Sequence, residues 1–216
     1  TAHVFQDWVP IRRPEDRAST EIYRKLTYGD LAEFYLLDIL LHKDPKSEPK
    51  ATRSMLGPRQ NAWLYKELDK NNTRWRVLGN QKNFTNWRLA GRDVVGSSWD
   101  HWPHDRSRLL DYFRQRGWTD NLVLSGDEHI FFAMDLTDAP RDPSRYDWRT
   151  GLGAVGGEFL PSSVSRVNLD ERAGLFRGGG RLPEHASLLM NPHHRACDMI
   201  EHGYGILDIN PQRIRA

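Results

Sequence analysis

The run Asn121-Leu122-Val123-Leu124, apolar almost throughout and closed by Ser125-Gly126-Asp127-Glu128-His129, constrains this chain more than any other feature. A helix is predicted just before it, starting near Pro103, with Arg106, Leu109, Leu110 and Phe113 on one side and Gly117 as its terminator. A helix feeding a short buried strand that ends in Gly-Asp is the grammar of an α/β fold. The same pattern recurs upstream. Pro58 suits the first position of a helix that runs to Lys70 with Trp63, Leu64 and Leu68 on its core face, and Trp75 to Gln81 follows as a short strand.

The flanking segments are less regular. Gly29-Asp30 reads as a hairpin turn and Leu31 to Leu41 as a buried strand, although a helix over Asp30 to His42 competes because the apolar positions do not settle the period. Residues 1–25 read as an irregular arm that wraps a surface, and residues 26–216 as the body of one domain. Between Thr85 and Pro103 a long loop carries Trp87, Trp99 and Trp102, and long loops of this kind tend to be binding or lid segments. The glycines of 151–157 and Gly178-Gly179-Gly180 lack the companions of a phosphate loop or dinucleotide fingerprint and read as loop glycines. Gly203 to Ile209 alternates and is expected to be an edge strand.

Composition excludes several classes. The apolar run Phe34 to Leu41 is broken by Asp38, far short of the roughly 20 residues that cross a bilayer. Basic residues number 31 against 29 acidic, with the arginines scattered, so no nucleic-acid-binding stripe is evident. The single Cys197 excludes an intrachain disulfide and has no motif partner. The first residue is Thr, with no signal segment, and the chain is expected to be a processed or split product.

Chemistry concentrates at Asp127 and His129. Two apart, they would point the same way in an extended segment, delivering a carboxylate and an imidazole together at the strand end where open α/β sheets place their sites. That suits a metal ion, but a site generally takes three or more ligands, so others must come from elsewhere. The competing structural reading has Asp127 capping the turn and His129 bonded to it. His193 and His194, adjacent in sequence, would point opposite ways in a strand, so at most one should face a site. His101 and His104 read as surface or cap residues, Asp38 as a hydrogen-bonded structural carboxylate, and Cys197 as inert.

A set of ordered blocks resembles one family. Tyr28-Gly29-Asp30-Leu31-Ala32-Glu33 with Leu37-Asp38, Arg53 to Gln60 with Trp63-Leu64, Trp75 to Gln81, Ser98-Trp99-Asp100-His101-Trp102-Pro103, Val123 to His129, Glu158-Phe159, Asn191-Pro192-His193 and Gly203-Tyr204 look like the PhoD-like alkaline phosphatases and phosphodiesterases. The resemblance spans nearly the whole chain and implies the C-terminal half of a calcineurin-like metallophosphoesterase, a four-layer α/β/β/α sandwich. It makes Asp127 and His129 metal ligands, with Asn80, His193, His194 and Trp99 as substrate or supporting contacts. It also implies two or more metal ions, iron with calcium or manganese, whose bound hydroxide attacks phosphorus. The family's early metal blocks have no counterpart here, so the chain is expected to be inactive until joined by the N-terminal half as a separate chain. The resemblance further implies a secreted or periplasmic protein. Two departures bear on substrate preference: Leu37-Asp38 is followed by Ile39-Leu40 where the family has a small residue and Arg, and His101-Trp102 makes the wall of that block bulkier.

The resulting expectation is metal-dependent hydrolysis of phosphomonoesters or phosphodiesters, phospholipids included, since a tryptophan-rich mouth suits transient contact with a lipid surface. The alternative is a non-catalytic α/β module that binds a partner or flat apolar ligand through Trp87, Trp99 and Trp102.

Overall fold

The computed structural model describes residues 2–11, 19–168, 171 and 181–216. In chain order the elements are helix α1 (Ala2–Trp8), strands β1 (Arg24–Tyr28) and β2 (Ala32–Leu36), helix α2 (Gly57–Asp69), strand β3 (Trp75–Gly79), and the short strands β4 (Arg88–Leu89) and β5 (Arg92–Asp93). A 3-10 turn (Trp99–His101) leads into helix α3 (Pro103–Gln115), then strands β6 (Asn121–Leu124), β7 (Phe131–Asp135) and β8 (Gly156–Leu160). Helix α4 (Leu182–Met190), strand β9 (His194–Asp198) and the pair β10 (Asp208–Ile209) and β11 (Ile214–Arg215) complete the described chain.

Seven strands form one mixed sheet in the order β1-β2-β3-β6-β8-β7-β9. β2, β3, β6 and β8 run parallel at its centre, while β1, β7 and β9 extend it antiparallel at the two sides. The parallel centre follows from the connections: α2 returns the chain from β2 to β3, and α3 returns it from β3 to β6. Tyr35, Leu78 and Val123 bury against Leu64 and Leu68 of α2 and Leu109, Leu110 and Phe113 of α3. By strand alternation Leu124 and Phe159, paired in register, lie on the other face. There the irregular segment 201–207 joins them in lining an open apolar pocket of about 460 Å³.

This overturns the expected sandwich half. A four-layer α/β/β/α arrangement stacks two sheets about 10 Å apart, whereas the described residues form a single large mixed sheet with flanking helices, accompanied only by the two-stranded ribbons β4–β5 and β10–β11.

Helix boundaries follow the local chemistry. Pro58 and Pro103 stand in the first turns of α2 and α3, and Gly117, at φ 66°, ends α3 with the Trp118 N–H donating to Phe113 O at 2.9 Å. Leu56, which precedes α2, makes no side-chain cap. Ser54 Oγ accepts the Gly57 N–H at 2.8 Å, and the buried Asp105 carboxylate, in the first turn of α3, accepts the N–H groups of Met55 and Leu56 just ahead of the helix at 2.8 and 3.0 Å and the Asn61 amide at 3.1 Å.

β1 and β2 form the hairpin read at Gly29-Asp30, with the Leu31 N–H closing on Tyr28 O at 3.2 Å. The strand, not the helix, is the conformation of residues 32–36. It stops where Asp38 turns its Oδ1 to the N–H groups of Leu40 and Leu41, at 2.9 and 3.1 Å. The arm contains the α1 helix, whose Gln6 side chain donates to Ser19 O at 3.2 Å. Two further expectations are corrected. Gly156 and Gly157 open β8, and a Cβ on Gly156 would overlap the Asn121 carbonyl of β6, so this glycine serves close strand approach. Gly203 to Leu207 is irregular; only Asp208–Ile209 pairs, with β11, because Asn210 caps a turn to Gln212 and Arg213 at 2.9 and 3.0 Å. The run Gly178-Gly179-Gly180 lies outside the described residues.

Candidate active site

The C-terminal ends of β2, β3 and β6 open onto one edge of the sheet, and the loops that leave them are tied together. Gln81 donates its amide to Leu37 O at 2.5 Å and accepts the Ile39 N–H at 3.2 Å, which locks the loop after β3 to the loop after β2. Asn80 accepts from Trp99 Nε1 at 3.1 Å and donates to Ser125 Oγ at 3.1 Å. The Ser125 hydroxyl donates to Glu158 Oε1 at 2.5 Å, and Glu158 also accepts the Phe84 and Thr85 N–H groups at 2.8 and 2.7 Å. One continuous hydrogen-bond path therefore joins the tryptophan loop, β3, β6 and β8. Glu158 has no solvent exposure, and burial raises its pKa while these donors pull it back part of the way.

Glu158 is the residue whose role sequence reasoning missed. The available signal was an acidic side chain inside an apolar strand, which is costly unless several donors meet it.

Asp127 and His129 follow directly after this network, but the segment is not extended. Both residues are left-handed, at φ 79° and 57°, a conformation uncommon outside glycine and found at constrained functional turns. They consequently meet different neighbours. Asp127, half-exposed, pairs with the Lys82 ammonium from the loop after β3. His129 Nδ1 lies 3.0 Å from the Val167 carbonyl. With Nδ1 donating its proton there, Nε2 keeps the free lone pair. Between them Glu128 has one buried carboxylate oxygen without a hydrogen-bond partner, and burial, with the Asp127 charge beside it, pushes its pKa up to about 7.

Among the described residues, no group of three or more His, Cys, Asp and Glu side chains comes together as a metal ion requires. Asp127 and His129 alone do not complete such a site.

The other sequence candidates lie deeper. Trp99, Trp102 and Trp87 are buried, and Trp99 packs on Phe84 with ring centroids 4.9 Å apart. The indoles that the long loop offers to a ligand or lipid are used in the core instead. The loop is pinned to α3 by the buried pair Asp100–Arg106 at 2.7 Å.

His193 and His194 do not point opposite ways: His193 stands in the turn before β9, only His194 is in the strand, and both Nε2 atoms reach Asn86 O, at 2.9 and 3.0 Å. Burial, and for His193 the neighbouring His194, pushes their pKa values down to about 3 and about 4. Asp38 is hydrogen-bonded as expected, and the Cys197 thiol is pushed up to about 12 by burial, which keeps it protonated and inert.

Comparison with known proteins matches this arrangement to one family. The family described as PhoD-like phosphatase matches residues 1–216. Alkaline phosphatase D of Bacillus subtilis (strain 168) is 29% identical over 160 residues, covering 67% of this chain and 26% of that protein. A solved structure of PhoD superposes with a TM-score of 0.75 at 23% identity, covering 96% of this chain and 40% of that one. The chain thus spans about a quarter of the length of the curated relative. With its sequence matched from end to end, this chain belongs to the PhoD-like phosphatase family.

Proposed function

We propose that this chain forms part of a phosphoesterase that hydrolyses phosphomonoesters or phosphodiesters, and that it contributes Asp127 and His129 to the metal site. The observation that carries the reading is the placement of both residues at the C-terminal end of β6 in a chain matched throughout to the PhoD-like phosphatases. His129 is oriented for ligation by its Val167 contact. A bound ion supplies charge that activates water and neutralises phosphoryl oxygens. The chain's own residues supply the frame: Ser125 and Asn80 fix the turn, and Lys82 holds a positive charge beside Asp127.

The remaining ligands are proposed to come from a second polypeptide corresponding to the N-terminal part of the relatives. Surfaces that support it are the exposed Phe5 and Trp8 of α1 and Leu26 and Tyr28 of β1, apolar side chains with no cover of their own. Among the described residues no helix is long and apolar enough to cross a membrane. A secreted or periplasmic location and a mix of iron with calcium or manganese belong to the same proposal.

The test assays the chain together with that polypeptide on p-nitrophenyl phosphate, bis-p-nitrophenyl phosphate and phosphatidylcholine, with metal content measured in parallel. Asp127→Asn and His129→Ala are expected to lower kcat by at least about a hundredfold and to reduce bound metal. Hydrolysis and metal content unchanged in both variants would refute the assignment.

A further inference from the structure

A polar pocket of about 540 Å³ opens between α3, the loop after β7 and the turn joining α4 to β9. No residue of the turn 125–129 lines it, so it is separate from the proposed metal site. Three guanidiniums from three segments meet there: Arg88 of β4, Arg106 of α3 and Arg141 of the loop after β7. A guanidinium carries five N–H donors in a planar fork, and each of these is engaged at one nitrogen only. Arg88 donates through Nε to Asp93 at 2.9 Å, Arg106 through Nη1 to Asp100 at 2.7 Å and Phe84 O at 3.0 Å, and Arg141 through Nη2 to Met190 O. Arg141 has no carboxylate partner among the described residues. The two carboxylates of the wall are held from outside the pocket: Asp138 by Arg114 and Arg145, at 2.6 and 2.9 Å, and Asp142 by the Ser144 hydroxyl at 2.6 Å.

The wall also holds His193, which is 1% exposed. Its Nε2 and that of His194 both lie within reach of Asn86 O, a carbonyl that only accepts, so both carry their proton there. The lone pair of His193 is thereby left on Nδ1, which is buried and has no hydrogen-bond partner. Burial, then His194, then the charges of Arg106 and Arg141 keep this imidazole neutral. An orphaned acceptor in a wall of guanidinium donors calls for an occupant that carries both acceptors and a donor.

We propose that this pocket binds inorganic phosphate, its charged oxygens on Arg88, Arg106 and Arg141 and its remaining O–H donating to His193 Nδ1. Guanidinium forks match phosphate oxygens in geometry and charge. The O–H sets the selectivity, because a site built to receive one rejects analogues that lack it and leave its polar group unpaired. Sulfate carries no O–H near neutral pH. A phosphomonoester loses its last proton with a pKa of about 6, whereas hydrogen phosphate still keeps one O–H well above that. The pocket thus separates free phosphate from the phosphate of an ester, and the inference stands whether or not the chain takes part in hydrolysis.

Isothermal titration of the full chain with inorganic phosphate, at about pH 8 and with a chelator present, is expected to show binding. Sulfate and methyl phosphate should each bind at least about tenfold more weakly, the loss expected for one buried acceptor left unpaired. Arg141→Gln should weaken phosphate about tenfold, while Arg149→Gln, an exposed arginine outside the pocket, should bind as the parent does. His193→Gln keeps an amide donor for Asn86 O but removes the Nδ1 acceptor, and should bring phosphate down to the affinity of sulfate. Asp127→Asn should retain phosphate binding; its loss there would place the anion at the catalytic turn and overturn the proposal. Absence of phosphate binding, equal affinity in the parent and Arg141→Gln, or sulfate binding as tightly as phosphate would overturn it too. Should His193→Gln fail to fold, seen as a lost thermal transition, the Arg141→Gln comparison and the three-anion series decide alone.

Discussion

Replacing Glu158 by alanine should be among the most damaging single changes in this protein, and the reason lies in its partners, not its charge. The substitution leaves the N–H groups of Phe84 and Thr85 and the Ser125 hydroxyl without their acceptor in a site closed to solvent. Each buried donor left unpaired costs about 1–3 kcal/mol, so the three together cost about 3–9 kcal/mol. That is a large fraction of the roughly 5–15 kcal/mol that holds a domain together. With a urea dependence of about 2 kcal/mol per molar, the unfolding midpoint should fall by about 1.5 M or more.

Glu158→Gln retains one carbonyl acceptor and should lose about half as much. Its comparison with the parent also carries a pH signature. The folded pKa of Glu158 is raised, so its carboxyl is most favourable below the unfolded value, and that contribution is lost as pH rises through the folded value. The parent should therefore lose ground to Glu158→Gln as pH rises above the ordinary carboxylate range. Combining Ser125→Ala with Glu158→Ala should cost less than the sum of the two, because they share one bond. A Glu158→Ala midpoint within about 0.5 M of the parent would refute this account.

Two further outcomes follow from buried groups. His193 and His194 have folded pKa values pushed down to about 3 and about 4, so stability is full above the unfolded value of about 6.5 and drains as pH falls toward those values. Denaturation midpoints between pH 7 and pH 4 should fall steeply in the parent, and less in His193→Gln/His194→Gln; parallel slopes would count against the buried pair. Cys197, its thiol pushed up to about 12, should react with a disulfide reagent at least about a hundredfold more slowly in the native protein than in urea, and equal rates would contradict its burial.

Legibility in the sequence varied with local chemistry. α2, α3 and β6 were plain because Pro58, Pro103 and Gly117 mark helix ends and the run 121–124 is almost wholly apolar. β8 was hidden: it opens on Gly156-Gly157, whose selection comes from the approach of the β6 backbone, a contact that has no trace in local composition. Gly203 to Ile209 was overread, since alternation says nothing about whether a sheet edge is available to receive a strand. In the candidate site, Asp127 and His129 were found by their position after β6. Their divergent contacts, with Lys82 and with Val167, depend on two left-handed residues that spacing cannot reveal. The tryptophans of the long loop drew attention as ligand-binding groups because sequence does not distinguish an indole that fills a core from one that faces solvent.

The turn that leads into α2 is fastened to Asp105 of α3, and this bears on the order in which the chain acquires structure. The first N–H of the helix has a local acceptor, Ser54 Oγ at 2.8 Å from Gly57 N, but the carboxylate that receives the Met55 and Leu56 N–H groups ahead of it arrives only after about 50 more residues have been made. A peptide spanning α2 alone, 13 residues long and lacking that partner, lies within the length range of about 12–15 residues where isolated helices are marginal in water. The α2 segment should thus remain largely uncoiled on the ribosome until α3 emerges, with the two helices and the loop between them condensing as one cooperative unit.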